Sequence, residues 1–288
     1  KIIALGSGIA RLRPGQGNDI VTFIDQTVLN TPLTWCTDGE IQTVMPGESV
    51  NIAKEINGVC WLHQGSKGYV ILPVKKLLLQ IKSGTEVNIT DRKIANKKPN
   101  IIAVSHGAEP GKAWDNAYRY VQLPNVSAKE MPERMEALLK DMEFAIQEGT
   151  AHAVHSDADK TWQYTFFKPG SISIGHMEVV SNDVAQIMLR DNGTEWILSV
   201  NNPMPDGQKQ RLTFSISTKL TEGTYTYHTR GMYPLEGETV TVMPKGKGSK
   251  VTIELPDSRD AAKYNYQSDL YAATPIVVRV PQNNITEN

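Results

Sequence analysis

The chain has 288 residues, 40% of them hydrophobic, and a net charge of −1. That length exceeds the usual single domain, so two domains are expected, with ample apolar material for their cores. With charge so nearly balanced, no global field draws the chain to nucleic acid or a membrane surface. No apolar run reaches the ~18–20 residues that span a bilayer, so neither partner is expected.

Residues 1–100 alternate short strand-type runs with turn signals. Lys1–Leu5 is apolar and stops at Gly6-Ser7-Gly8, and Arg13 to Asp19 is a Pro- and Gly-containing loop. The run IVTFIDQTVL over Ile20–Leu29 then resumes. Strict alternation sets its Val21, Phe23 and Asp25 opposite Thr22, Ile24 and Gln26. Beyond it, Pro32, Asp38-Gly39, Pro46-Gly47, Asn57-Gly58 and Lys67-Gly68 punctuate the chain around runs such as Val59–Leu62 and Tyr69–Leu72. Turns at a spacing of ~8–12 residues with no helical period indicate a β-sandwich or a large layered sheet. The start at Lys1, without Met or a signal peptide, reads as a fragment or a processed chain, and compartment is not legible from it.

The stretch Ile101–Asn125 closes this β region. Ile101 to Val104 is strand-like and breaks at Ser105-His106-Gly107, and a polar loop with Pro110 and Gly111 comes next. Alternation returns with Tyr118, Tyr120 and Gln122 on one face and residues 117, 119, 121 and 123 on the other. The loop is too long for a tight hairpin.

Residues 127–147 carry the one helical period. Met131, Met135, Leu138, Met142 and Ile146 form a single apolar stripe, and Ser127 with Glu130 matches a capping box. Pro132 either costs a helix begun at Ser127 one backbone bond or marks a regular start near itself, where its missing donor is dispensable. Gly149 is read as the stop. Strands return over 150–281, with Trp162/Tyr164/Phe166, Leu212/Phe214/Ile216 and Val251/Ile253/Leu255 alternating. Asp191-Asn192-Gly193, Asp206-Gly207 and Pro244 to Gly248 supply turns, and a frayed polar tail ends the chain. The expected class is all-β, with domains over 1–126 and 149–288 joined by a helix over 127–148.

No catalytic constellation stands out. Six histidines are scattered, and the one close pair, His152 and His155, lacks a third ligand in range. Cys36 and Cys60 either pair or stay free, and two buried small side chains is the favoured reading. There is no nucleophile elbow or P-loop, and Gly6-Ser7-Gly8 opens no helix, so it is not a dinucleotide fingerprint. Glu236 and Glu238 read as solvated strand-edge charges. Basic residues cluster at Arg11/Arg13, at Arg92, Lys93, Lys97 and Lys98, and at Lys245/Lys247/Lys250. Such loops either hold an acidic polymer or keep a near-neutral protein soluble. Trp162, Tyr164 and Phe166 read as core rather than as a sugar-stacking platform.

Several short motifs fall in one order along the chain. ALGSGI at Ala4–Ile9 precedes Ile20-Val21-Thr22 to Gln26, then Trp61-Leu62-His63 and Gly68-Tyr69-Val70. His106-Gly107, Tyr118-x-Tyr120 and Leu123-Pro124-Asn125 complete the series. This pattern resembles polysaccharide lyase family eight, in particular its chondroitin sulfate ABC and hyaluronate lyase-like members. The resemblance implies the second half of a central β super-sandwich followed by a smaller C-terminal antiparallel β-sandwich. It implies a parent enzyme that cleaves uronic acid polysaccharides by β-elimination: a base removes the C5 proton while the carboxylate is neutralised. The groups that do this belong to an N-terminal helical toroid missing here, so no catalytic residue is assigned and His106 and Tyr118 match structural positions. The expected role is non-catalytic support of the substrate cleft, with a stand-alone carbohydrate-binding module as the other class. Expected partners are an acidic polysaccharide (chondroitin sulfate, dermatan sulfate or hyaluronan) and the toroid. Arg92, Lys93, Lys97 and Lys98 are the substrate-contact candidates. No cofactor is expected, a divalent cation is left open, and a bacterial secreted or periplasmic location is implied.

Overall fold

Alternating polarity between turn signals folds here into antiparallel strands. The structure is a computed structural model that describes residues 1–9, 20–28, 30–73, 77–83, 99–106, 116–201, 210–229, 236–255 and 275–282. Among these residues, strands form three sheets in which every pairing is antiparallel, and the chain divides into units 1–140 and 141–288. No helix among the described residues is long and apolar enough to cross a membrane.

In the first unit the strands are β1 (Ile2–Ile9), β2 (Val21–Val28), β3 (Leu33–Thr37), β4 (Glu40–Val44) and β5 (Val50–Ile56). They continue as β6 (Cys60–Gln64), β7 (Lys67–Ile71), β8 (Leu77–Ser83), β9 (Pro99–Ser105) and β10 (Asn116–Pro124). One sheet has the order β1-β10-β7-β6-β3-β4 and the other β2-β9-β8-β5. Leu33, Trp35, Leu62, Tyr69 and Ile71 of the first share one core with Leu79, Ile81, Ile102 and Val104 of the second. The Ile101–Asn125 stretch therefore supplies one strand to each sheet, and the chain changes sheets between Ser105 and Asn116.

Strict alternation fails in β2. A bulge between Phe23 and Asp25 puts Asp25 opposite Ile102, as Thr22 is opposite Val104. Asp25 and Thr22 thus share the inner face, whereas Phe23 is turned outward and exposed. One inserted residue moves every later side chain to the other face.

The other face of the larger sheet is also buried at Trp61, Val70 and Val121. Glu130 Oε2 accepts from the Ser127 N–H (2.9 Å) and hydroxyl (2.6 Å), and residues Ala128–Glu130 make a 3₁₀ turn. Helix α1, Met131–Asp141, comes next with Pro132 in its first turn, where no donor is missed. Met131 and Val126 sit over Gly68: a Cβ there would lie 2.3 Å from Met131 Sδ. His63 donates from Nε2 to the Val126 carbonyl at 2.8 Å. The helix is shorter than its stripe implies. Met142–Gln147 forms strand β11, because each of its residues pairs with Ala151–Ser156 across a turn in which Gly149 takes φ +62. Gly149 is a hairpin residue rather than a helix stop.

The second unit continues with β12 (Ala151–Ser156), β13 (Thr161–Phe166), β14 (Gly170–Ile174), β15 (Met177–Ser181), β16 (Ala185–Asp191) and β17 (Glu195–Asn201). It ends with β18 (Gln210–Ile216), β19 (Gly223–Thr229), β20 (Glu236–Lys245), β21 (Gly248–Leu255) and β22 (Ile276–Pro281). All twelve strands, β11 included, pair in the order β11-β12-β13-β16-β17-β22-β19-β20-β21-β18-β15-β14. The sheet closes on itself, since β14 at one end packs against β11 and β12 at the other. Glu143 Oε2 ties that closure by accepting the Gly175 N–H at 3.0 Å. Trp162, Tyr164 and Phe166 are buried in the enclosed core with Phe214 and Ile253, as core residues rather than as an exposed platform.

Candidate functional site

The chemically equipped region of the first unit is the polar seam where its two sheets face each other. The bulge in β2 aims Asp25 across the gap. Its Oδ2 accepts from the Tyr69 hydroxyl at 2.7 Å and from Lys67 Nζ at 2.7 Å, both on β7 of the opposite sheet. Gln64 Oε1 accepts from Thr27 (3.1 Å) and from Asn100 Nδ2 (2.9 Å), again sheet to sheet. Lys54 donates to the Thr37 hydroxyl at 3.0 Å and pairs with Asp38 at 2.9 Å. Buried polar groups need such partners, and here each partner comes from the other layer or from the turn beside it.

His106 and Tyr118 meet at one end of the seam. His106 continues β9: its N–H donates to the Ile20 carbonyl (2.8 Å) and its Nε2 hydrogen-bonds the Thr22 hydroxyl (2.9 Å). Its ring lies 6.3 Å from that of Tyr118, which is in turn stacked 6.1 Å from Tyr120. Tyr118 lies directly over Gly6, where an added Cβ would fall 2.1 Å from the ring. The Gly6-Ser7-Gly8 stretch is thus a packing site, continued by an irregularity between Gly6 and Ile9 with Gly8 at φ +68.

Burial dominates the electrostatics of the seam. Burial, then the bond to Asp25 and its charge, pushes the Tyr69 phenol far above its ordinary range. Burial raises Tyr120 as well, helped by Tyr118 and Asp25. Burial lowers His106, which favours its neutral imidazole. Phenols held protonated are poor bases near neutral pH. Arg119, on the opposite face from Tyr118, spends its Nε on the Leu72 carbonyl at 3.2 Å.

Those of the remaining candidates that the structure describes are not brought together. Arg11, Arg13, Arg92, Lys93, Lys97 and Lys98 lie outside the described residues. His152 and His155 are three apart on β12 and so point to opposite faces. His155 stacks on Trp162 at 4.5 Å, while His152 meets Phe167 edge-on at 4.9 Å. Cys36 pairs with Trp61 and Cys60 with Ile71, which puts the two thiols on opposite faces of the sheet, unbridged. Burial pushes Cys60 up to about 12, so it stays a thiol. Among the described residues no group of three or more His, Cys, Asp or Glu side chains could hold a metal ion. Sequence reasoning missed the Asp25 cross-sheet anchor. Its signal was a lone carboxylate inside the apolar run IVTFIDQTVL.

Two family models match the chain. The super-sandwich domain of polysaccharide lyase family 8 matches residues 1–135, and that family's C-terminal beta-sandwich domain matches 147–211. Together they account for more than half of the sequence. No curated protein sequence matches. Among solved structures, a chondroitinase AC lyase described with oligosaccharide complexes is similar at TM-score 0.65 and 17% identity, covering 96% of this chain and 34% of that one. A Paenibacillus xanthan lyase is similar at TM-score 0.64 and 18% identity, covering 98% and 25%. A Streptomyces coelicolor A3 chondroitin AC lyase, in complex with chondroitin sulphate, gives 0.60 and 16%, covering 98% and 31%. The chain spans about a third or less of these relatives, and at such identities the likeness is one of fold. On its two domain matches, this chain belongs to polysaccharide lyase family 8 and carries that family's super-sandwich and C-terminal β-sandwich domains.

Proposed function

We propose that the chain is the non-catalytic C-terminal part of a lyase that cleaves a glycosaminoglycan, such as chondroitin sulfate, dermatan sulfate or hyaluronan, by β-elimination. Its role is to wall and brace the substrate cleft, and the proton-abstracting groups reside in a helical toroid upstream. One observation carries this reading: nearly all of this chain overlays on each solved lyase while covering only 25–34% of it. The seam agrees, since its Asp25, Lys67, Tyr69, Gln64 and Asn100 are committed to bonds between sheets. Arg92, Lys93, Lys97 and Lys98 are the proposed contacts to the acidic polymer, and a secreted or periplasmic location in a bacterium accords with a polysaccharide substrate.

The test is release of unsaturated product, followed as a rise in ultraviolet absorbance. The purified chain is expected to give none on chondroitin sulfate, dermatan sulfate or hyaluronan. The same chain joined to its upstream segment is expected to turn over at least one of them. Turnover by the 288 residues alone refutes the non-catalytic assignment.

A further inference from the structure

On the solvated face of the second unit, a groove of about 470 Å³ crosses β13, β16 and β17. Strand register lays two complete rows of side chains along it. Gln163, Met188 and Ser199 form one row, and Thr165, Gln186 and Asn201 form the other. The alternate residues Tyr164, Ile187 and Val200 are buried in the core. With strands ~4.8 Å apart and same-face residues ~7 Å apart, six side chains tile a patch about 10 by 7 Å on a rigid sheet.

Among the described residues, none that lines this groove is charged, in a chain that is 21% Asp, Glu, Lys and Arg. A charged ligand therefore finds no ion-pair partner on these rows. A hydroxylated neutral ligand finds amides and hydroxyls, each able both to donate and to accept. Asn201 Nδ2 donates to Gln186 Oε1 at 3.3 Å. This bond fixes the two amides against each other and leaves the Gln186 NH₂ and the Asn201 carbonyl for a ligand. The Gln163 amide nitrogen faces Met188 Sδ at 4.0 Å, a weak acceptor that a ligand oxygen would displace. Met188, half-buried between Gln163 and Ser199, supplies a polarizable apolar floor for a sugar ring's C–H face.

We propose that this groove is a saccharide-binding subsite that takes an uncharged, hydroxyl- and acetamido-bearing sugar residue of a polysaccharide, and so holds the polymer on the second unit. The proposal rests on the reading that the parent enzyme handles a glycosaminoglycan, and within it on residues whose N-acetylhexosamine is unsulfated, as in hyaluronan. The next register row along the strands, Thr161, Arg190 and Ile197, brings the first cation. An acidic sugar adjoining the bound neutral one falls beside Arg190, as an alternating copolymer requires.

The experiment titrates the isotopically labelled 288-residue chain with a neutral N-acetylhexosamine tetrasaccharide and follows backbone amide resonances at low and high salt. Shifts confined to β13, β16 and β17, with an affinity unchanged by salt, are expected, because no ion pair is there to be screened. The double substitution Gln186→Ala/Asn201→Ala is expected to weaken binding at least tenfold with no change in melting temperature, since both side chains lie on the solvated face. No shifts on these strands, binding abolished by salt, or a double variant that binds like the parent would each overturn the proposal. Lyase turnover is read separately. Groove binding without turnover by the extended protein keeps the subsite and removes the lyase reading, and turnover without groove shifts does the reverse.

Discussion

Substituting Gly6 by Ala tests whether the glycine-rich opening of the chain exists to seat one ring. The added Cβ would lie 2.1 Å from Tyr118 Cε1 and 2.5 Å from Cζ, distances no real side chain adopts. Gly6 is not at positive φ, so the backbone itself accepts alanine and the whole cost is steric. An aromatic ring cannot yield as a flexible side chain can. It must swing off β1, giving up its stack on Tyr120 and its packing on His106. Over-packing costs ~1–3 kcal/mol and each broken ring pair ~0.5–1.5 kcal/mol, while the stiffer unfolded chain returns ~0.4–1 kcal/mol. The net expectation is a destabilisation of ~2–3 kcal/mol. In a Tyr118→Ala background the ring is gone, so Gly6→Ala becomes neutral or slightly stabilising, and the coupling equals nearly the whole effect. Urea unfolding of the four proteins of this cycle measures it, using the transition reported by Trp35 and Trp61 in the first unit. A cost for Gly6→Ala that is the same with and without Tyr118 refutes the reasoning.

Three further perturbations reach other joints of the fold. Asp25→Ala strands the Tyr69 hydroxyl and Lys67 at the seam and is expected to cost ~2–4 kcal/mol. Adding Tyr69→Phe should restore part of that loss in the same urea assay. Gly248→Ala places a Cβ 2.1 Å from the Ile216 carbonyl oxygen, which is backbone and cannot move aside, so ~3 kcal/mol or more is expected. Hydrogen exchange should show protection falling in β18 and β21 while amides of the first unit are unchanged. Burial holds His106 below the ordinary histidine value of ~6.5, so on acidification the unfolded chain takes up its proton first. Unfolding then binds more protons, and stability falls as pH drops below ~6.5. His152 is lowered in the same way in the second unit, so the informative quantity is the difference between the parent and His106→Gln. The variant should lose part of the acid slope, and an identical slope would exclude His106 as its source.

What could be read from the sequence depended on whether a period was local. Tyr118, Tyr120 and Gln122 alternate with residues 119, 121 and 123 because β10 is a regular strand pairing on both sides, and simple counting placed their faces. Counting failed at Met142. A spacing of four returns a side chain to the same face of a helix and of a strand alike, so Met142 and Ile146 extended the helical stripe without being helical. The discriminating observation was the pairing of Met142–Gln147 with Ala151–Ser156, which no single-window period carries. Asp25 stands out in IVTFIDQTVL as a lone carboxylate, but alternation sets it with Val21 and Phe23, and only the bulge and its partners on β7 reveal which way it points.

The same distinction between local and non-local explains why the motifs named a family but disclosed no chemistry. Gly6, His106 and Tyr118 lie in three separate motifs, yet they meet in one packed cluster. Gly68 likewise leaves the room that Met131 fills, and Tyr69 beside it carries the hydrogen bond that ties the sheets. Such joints hold the fold together independently of what a site grafted on it binds. Groove residues behave in the opposite way. Gln163 and Gln186 each stand between apolar residues and Asn201 follows Val200, and only strand register sets the three polar side chains on neighbouring strands of one face. Sequence pattern is therefore informative about what holds these sheets together, and nearly silent about the faces they present to a ligand.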